Sequence, residues 1–525
     1  MANLQPALTR LDQFIEQKLK ETQTAGVVVS VTDRERTLHV AAYGFADVAA
    51  RKPVTHDTLF EIGSIGKSFT SLALLQLHAA GQLDLSAPIT RYLPWFQIRS
   101  PYAPITLHHL LSHTAGLPQG SDITSDSRYG VYLLRELETG FAPGEKFWYS
   151  NVGYQALGWM LEEVLGRSYA EIIRARVLEP LGMQASDPVI THETRKRLAV
   201  GYQRFYDDRP FHPDQPLAPA PWLETDTADG SIASTAEDMA AYLRLLLNRG
   251  RGIISEDSFT LMTQKVIETG ENEFHGYGLT LSEKEGYRQI GHGGGMVGYS
   301  TGMIGDLDSG IGVVVMVNET GRYGLAPFTL QLMRAAFHNE ELPPLPDVAR
   351  VENANEYAGT YRAGDKTLTV MAEGERLTLS PGIGLEKRGG NEFFVSHPDW
   401  DRFLLRFGRE ENQVVEAFHG PDWYAREGHS RPTTFDSPKE WEAFTGHYRS
   451  YNPWLSNFRV VLRKGMLAVI HSGGDEAPLT PLEAGRFRVW PDAHSPERLR
   501  FDSVVNGQAL RANYSGCDYY RVFTP

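Results

Sequence analysis

Leu4, Leu8, Leu11, Ile15 and Leu19 recur at helical spacing with charges between them, which predicts an amphipathic helix over residues 4–20. Gly26-Val27-Val28-Val29-Ser30-Val31, the polar turn Asp33-Arg34-Glu35-Arg36 and Thr37-Leu38-His39-Val40-Ala41 then give a hairpin signal. Between residues 71 and 80 the leucines 72, 74, 75 and 77 fall on more than one face, so a buried helix is expected, closed by Gly81. Ser234-Thr235-Ala236-Glu237 reads as a capping box opening a helix over residues 236–248. Residues 288–291 predict a strand leading into a glycine-rich bend. A strand at 302–305, a turn at 306–309, a strand at 311–317 and a helix over about 325–338 follow.

The terminal helices, the early hairpin and the late three-strand meander can build one antiparallel sheet, while residues 55–280 read as mostly helical. The expectation is therefore an α+β domain over residues 1–345. It pairs an antiparallel sheet flanked by helices with an all-helical subdomain, leaving a cleft at the seam. Glu341-Leu342-Pro343-Pro344-Leu345-Pro346 is a stiff linker. Beyond it lie short strands and turns, and Tyr357-Ala358-Gly359-Thr360-Tyr361-Arg362 is echoed by Phe444-Thr445-Gly446-His447-Tyr448-Arg449. This predicts a duplicated unit: two small antiparallel β-barrels, at 346–435 and 436–525, joined near Ser430-Arg431-Pro432. One barrel with similar halves is the alternative.

Lys and Arg total 51 against 65 Asp and Glu, a formal charge of −14, which argues against a nucleic-acid or anionic-membrane surface. One cysteine, Cys517, allows no internal disulfide. The first segment lacks the apolar run of a signal peptide, and no stretch is apolar enough to span a bilayer. A cytoplasmic chain is expected, and an exported one with its leader removed would read the same. Whether it is a monomer or a homodimer stays open.

The candidate chemistry begins at Phe60-Glu61-Ile62-Gly63-Ser64-Ile65-Gly66-Lys67. A serine needs a base beside it to attack a carbonyl, and Lys67, one helical turn on, projects from the same face. The phosphate-loop alternative fails because position 61 is Glu61 rather than glycine. Such a pair needs a second proton carrier, and Tyr149-Ser150-Asn151, after the turn at 141–145, supplies one. Asn151 can hold Lys67 and a substrate amide. Gly291-His292-Gly293-Gly294-Gly295 lets a substrate backbone lie against a strand edge, with His292 able to donate to a carboxylate or carbonyl. The backbone N–H groups of Ser64 and Gly295 are the candidate oxyanion hole. Two strings mislead. Gly298-Tyr299-Ser300-Thr301-Gly302 imitates a nucleophile elbow but precedes a strand, not a helix. His109 and His113 are four apart, as in a zinc helix, but Leu110 stands where the metalloprotease pattern needs glutamate. No metal or cofactor is called for.

Ser64-x-x-Lys67, Tyr149-x-Asn151 and His292-x-Gly294, in this order, resemble the serine β-lactamase-like superfamily: class C β-lactamases, penicillin-binding DD-peptidases (peptidase S12) and their esterase and aminopeptidase relatives. Residues 110–118 and 228–235 also look like that family's segments, so the resemblance covers about 5–340. It implies that Ser64 is acylated, Lys67 is its base and Tyr149 the acid and base for leaving group and water. Asn151, His292 and Gly294 would bind substrate. The third motif departs from Lys-Thr-Gly and looks more like the His-x-Gly branch. With two barrels behind it, the pattern is closest to D-aminopeptidases. The substrate implied is an amide or short peptide; the alternative is a short acyl ester cleaved by a carboxylesterase. A true β-lactamase, lacking the third-motif lysine, and a non-catalytic binding protein fit less well. A loop of the barrels is expected to narrow the cleft.

Overall fold

The computed structural model describes residues 4–120, 126–321, 324–347, 349–380, 382–429, 432 and 434–523. The early hairpin, Gly26–Thr32 and Thr37–Asp47, and the late meander, Tyr287–Met296, Tyr299–Asp306 and Ile311–Val317, share one nine-stranded sheet. Gly26–Thr32 lies antiparallel beside Ile311–Val317, with Val29 opposite Val315, which joins the two ends of the domain. Both central strands are wholly buried because both faces are covered. Alternation sorts their side chains. Val27, Val29, Val313 and Val315 pack under the helices Gln5–Thr22 and Leu325–His338. Val28, Val314 and Met316 face the helix Ala236–Leu247 and the helical cluster. Each buried valine contributes about 1.5–3 kcal/mol.

The helical segment packs on that second face. Its central helix, Gly66–Ala79, is buried on nearly every side, as its leucines predict, but begins well before the apolar run. The cap near 235 also differs from expectation. Thr235, not Ser234, is the N-cap and accepts from Asp238 N at 3.3 Å. Ser234 Oγ is engaged with Ser186 Oγ at 2.8 Å. The expected bend at 291–295 is absent. Tyr287–Met296 continues as strand through all the glycines, paired from Gln289–Asp306 to Met296–Tyr299.

Beyond the linker lie two closed eight-stranded barrels, Gly359 to Arg426 and Gly446 to Arg521. The echoed hexapeptides occupy equivalent places in each. Tyr361 and Tyr448 are fully buried, and each hydroxyl donates to the carbonyl four residues back, Tyr357 O at 2.7 Å and Phe444 O at 2.8 Å. Gly359 and Gly446 both adopt φ near +150° and lie against Arg426 and Arg521. Of the expected join, Ser430 and Arg431 lie outside the described residues. No described helix is long and apolar enough to cross a membrane.

Candidate active site

Local pairing sets the position of Ser64. Phe60–Glu61 pairs with Ala233–Ser234, and Ile62 N donates to Ile232 O at 2.9 Å. The chain then turns through Gly63 at φ +53°, where a Cβ would stand 2.7 Å from both N and O of Gly295. Ser64 occupies the single 3-10 turn Gly63–Ile65 leading into the helix Gly66–Ala79, at that helix's positive end. Lys67 is completely buried, and its Nζ donates to Ser64 Oγ at 3.0 Å and to Asp229 O at 2.8 Å. It also lies 4.9 Å from the Tyr149 ring centroid and 5.7 Å from that of Tyr154.

Tyr149 immediately precedes the Asn151–Leu165 helix, whose N-cap is Ser150. Ser150 Oγ accepts from Gly153 N at 3.1 Å and donates to Pro118 O at 2.8 Å. His113 braces the segment from the other side. Its carbonyl accepts from Trp148 N at 2.8 Å, its Nδ1 accepts from Ser150 N at 2.9 Å, and its ring stacks on Tyr149 at 4.3 Å. The Tyr149 hydroxyl is buried with no hydrogen-bond partner among the described residues. The expected bond between Asn151 and Lys67 is not formed. Lys67 uses Ser64 and Asp229 instead, and Asn151 Oδ1 is buried without a described partner.

The strand Tyr287–Met296 forms the third wall. Its neighbour Thr280–Lys284 pairs with it only as far as Gly291, so the 292–295 edge is free of that strand. The glycines make a close approach: a Cβ on Gly294 would fall 1.9 Å from Ile62 O. Gly295 thereby faces the Gly63–Ser64 turn. The His292 ring lies 6.0 Å from that of Tyr149 and 6.0 Å from that of His275. Desolvation, and then the nearby Lys67 charge, push His292 down to about 4. His113 and His275 are also held well below the ordinary 6.5, mainly by burial. All three imidazoles are therefore neutral near pH 7. His292 Nδ1 donates to Gly293 O at 2.5 Å, which in the neutral ring leaves Nε2 as an acceptor.

The two misleading strings resolve locally. Ser300 Oγ donates to Gly321 O at 2.7 Å and accepts from Gly321 N at 2.9 Å, a structural tie. His109 closes a capping box with Thr106 on the short helix Leu107–Leu111, whereas His113 lies beyond that helix at φ +56°. The sequence gives no sign of His275 here, whereas residues 110–118 and 228–235, the segments that look like the family's, bring in His113 and the Asp229 carbonyl. These converge from separate elements.

The 449–454 loop of the second barrel, with Tyr451 and Trp454, and the first-domain residues Tyr129, Leu133, Leu223 and Thr227 wall a cavity of about 1060 Å³, which none of the candidate site residues lines. With this geometry in view, the Beta-lactamase family matches residues 11–336, more than half of the chain. The chain belongs to that family. A penicillin-binding protein of Bacillus subtilis (strain 168) is 28% identical over 406 residues, covering 70% of this chain and 86% of that protein. Esterase EstB of Burkholderia gladioli is 33% identical over 228 residues, 39% of this chain and about half, 55%, of its own length. Among solved structures, the octameric penicillin-binding protein homologue from Pyrococcus abyssi is similar at TM-score 0.62 and 26% identity, over 80% of this chain and 100% of that one. This member of the β-lactamase family carries His292 within Gly291-His292-Gly293-Gly294-Gly295.

Proposed function

We propose that the chain is a serine hydrolase that works through an acyl-enzyme on Ser64 and cleaves an amide or short peptide bond, in the manner of a D-aminopeptidase. The observation that carries this reading is the Lys67–Ser64 contact at 3.0 Å beneath the Tyr149 ring. The neutral form of Lys67 is the one that reacts: Ser64 Oγ attacks the carbonyl carbon and gives its proton to that free amine. The carbonyl oxygen becomes an oxyanion held by the N–H groups of Ser64 and Gly295. The C–N bond then breaks, and the leaving amine takes the Tyr149 proton. Water, deprotonated by the Tyr149 phenolate, attacks the ester. Ser64 departs with the proton from Lys67, restoring all three groups. Asn151, His292 and Gly294 bind the substrate. The acceptor at His292 Nε2 suits a substrate N–H, and a neutral histidine offers no ammonium to a β-lactam carboxylate.

The similarity to esterase EstB favours a second reading, hydrolysis of short acyl esters with the same residues. An ester leaves with less protonation than an amine. Turnover of D- and L-amino-acid p-nitroanilides, a p-nitrophenyl ester and a chromogenic cephalosporin separates the readings. We expect anilide cleavage and little cephalosporin turnover. Ester turnover without amide cleavage would replace the first reading with the second, and cephalosporin as the best substrate would contradict both.

A further inference from the structure

Glu497 belongs to the second barrel, in the loop between the strands Arg486–Val489 and Arg498–Val505, outside the residues that match the family. It is buried, yet its carboxylate partners lie mostly in the other domain. Oε1 accepts from Gln119 N at 2.7 Å and from the Trp148 indole Nε1 at 3.2 Å. Oε2 accepts from Ser515 Oγ within its own barrel. The two cross-domain donors flank the Tyr149-Ser150-Asn151 motif. Trp148 is the residue before Tyr149, and Gln119 O in turn accepts from Asn151 N at 2.8 Å. A charge-assisted acceptor thus ties both ends of the motif to one point. The loop comes close because Gly140 permits it: a Cβ there would stand 2.2 Å from His494 O. Other links across this seam, such as Arg486 to Glu138 at 2.9 Å, do not touch the motif.

We infer that Glu497 is a positioning residue for Tyr149 and Asn151, so that the second barrel completes the active site of the first domain. The inference rests on the proposed role of Tyr149. Misplacing a proton donor by about 1 Å costs on the order of a hundredfold in rate. In the full chain, Glu497→Ala should lower kcat about tenfold to a hundredfold while KM changes by less than about threefold. Glu497→Gln keeps an acceptor and should recover most of that loss. Arg486→Ala, which loosens the seam elsewhere, should keep the parental kcat. Trp148→Phe removes one donor without removing the ring and should cost several-fold, a second reading if Glu497→Ala fails to fold. Parental kcat in Glu497→Ala or Trp148→Phe, no recovery with Gln, or an equal loss in Arg486→Ala would each overturn the inference. Tyr149→Phe separates the two levels. If it is inactive while Glu497→Ala is parental, only the positioning role falls; if it is fully active, the role of Tyr149 falls too.

Discussion

Lys67 shows what a fully buried amine requires. Its Nζ reaches a hydroxyl, a backbone carbonyl and an aromatic face, and its charge helps keep the histidines nearby neutral. A second buried ionisable group lies just upstream. Glu61 lines a cavity of about 130 Å³ with Arg195, Trp222 and Tyr299, and desolvation raises its carboxyl from 4.5 to about 8. The folded chain thus holds a proton that the unfolded chain releases above 4.5. Glu61 therefore costs stability progressively as pH rises from about 4.5 to about 8. Glu61→Gln should raise Tm relative to the parent, and by more at pH 8.5 than at pH 5.5. An equal gain at both pH values would show that Glu61 is not protonated in the folded chain. Ser64, Lys67 and Tyr149 were legible as residues because Ser-x-x-Lys is a local spacing and Tyr-x-Asn a short string. His275 and Glu497 were not, since each reaches the motif through tertiary packing that no local pattern encodes.

At the scale of elements, hairpins and helices followed their periodicity, and the departures share a cause. Gly291 to Gly295 reads as a bend because glycines punctuate turns. Here the partner Tyr299–Asp306 keeps the segment extended, and the missing side chains let the strand press on Ile62 and Gly63. The same pressure makes Gly294 sensitive. A methyl group there would meet a backbone carbonyl, which cannot move aside like a flexible side chain. Gly294→Ala should push the strand edge away from Ser64 and lower kcat/KM about a hundredfold with the far-UV circular dichroism unchanged. Parental kcat/KM would show that the edge does not shape the site. The cap at Thr235 missed by one residue because Ser234 had a competing partner, Ser186, distant in sequence.

At the scale of the molecule, the duplication was legible because each barrel keeps its buried tyrosine, its glycine and the arginine laid against it. The seating of the barrels was not. It depends on long-range pairs such as Asp207 with Arg449 at 2.6 Å and Asp208 with Arg459 at 3.1 Å, where a loop of the first domain engages the second barrel. That barrel also walls the large cavity and reaches Trp148 through Glu497. The proposed hydrolysis nonetheless turns on one covalent event. The most direct measurement is to quench the full chain during turnover of an activated ester and locate the acyl group by peptide mass spectrometry. Acylation of the nucleophile gives one adduct, on Ser64, absent from Ser64→Ala. An adduct on Ser300, or one undiminished in Ser64→Ala, would contradict it.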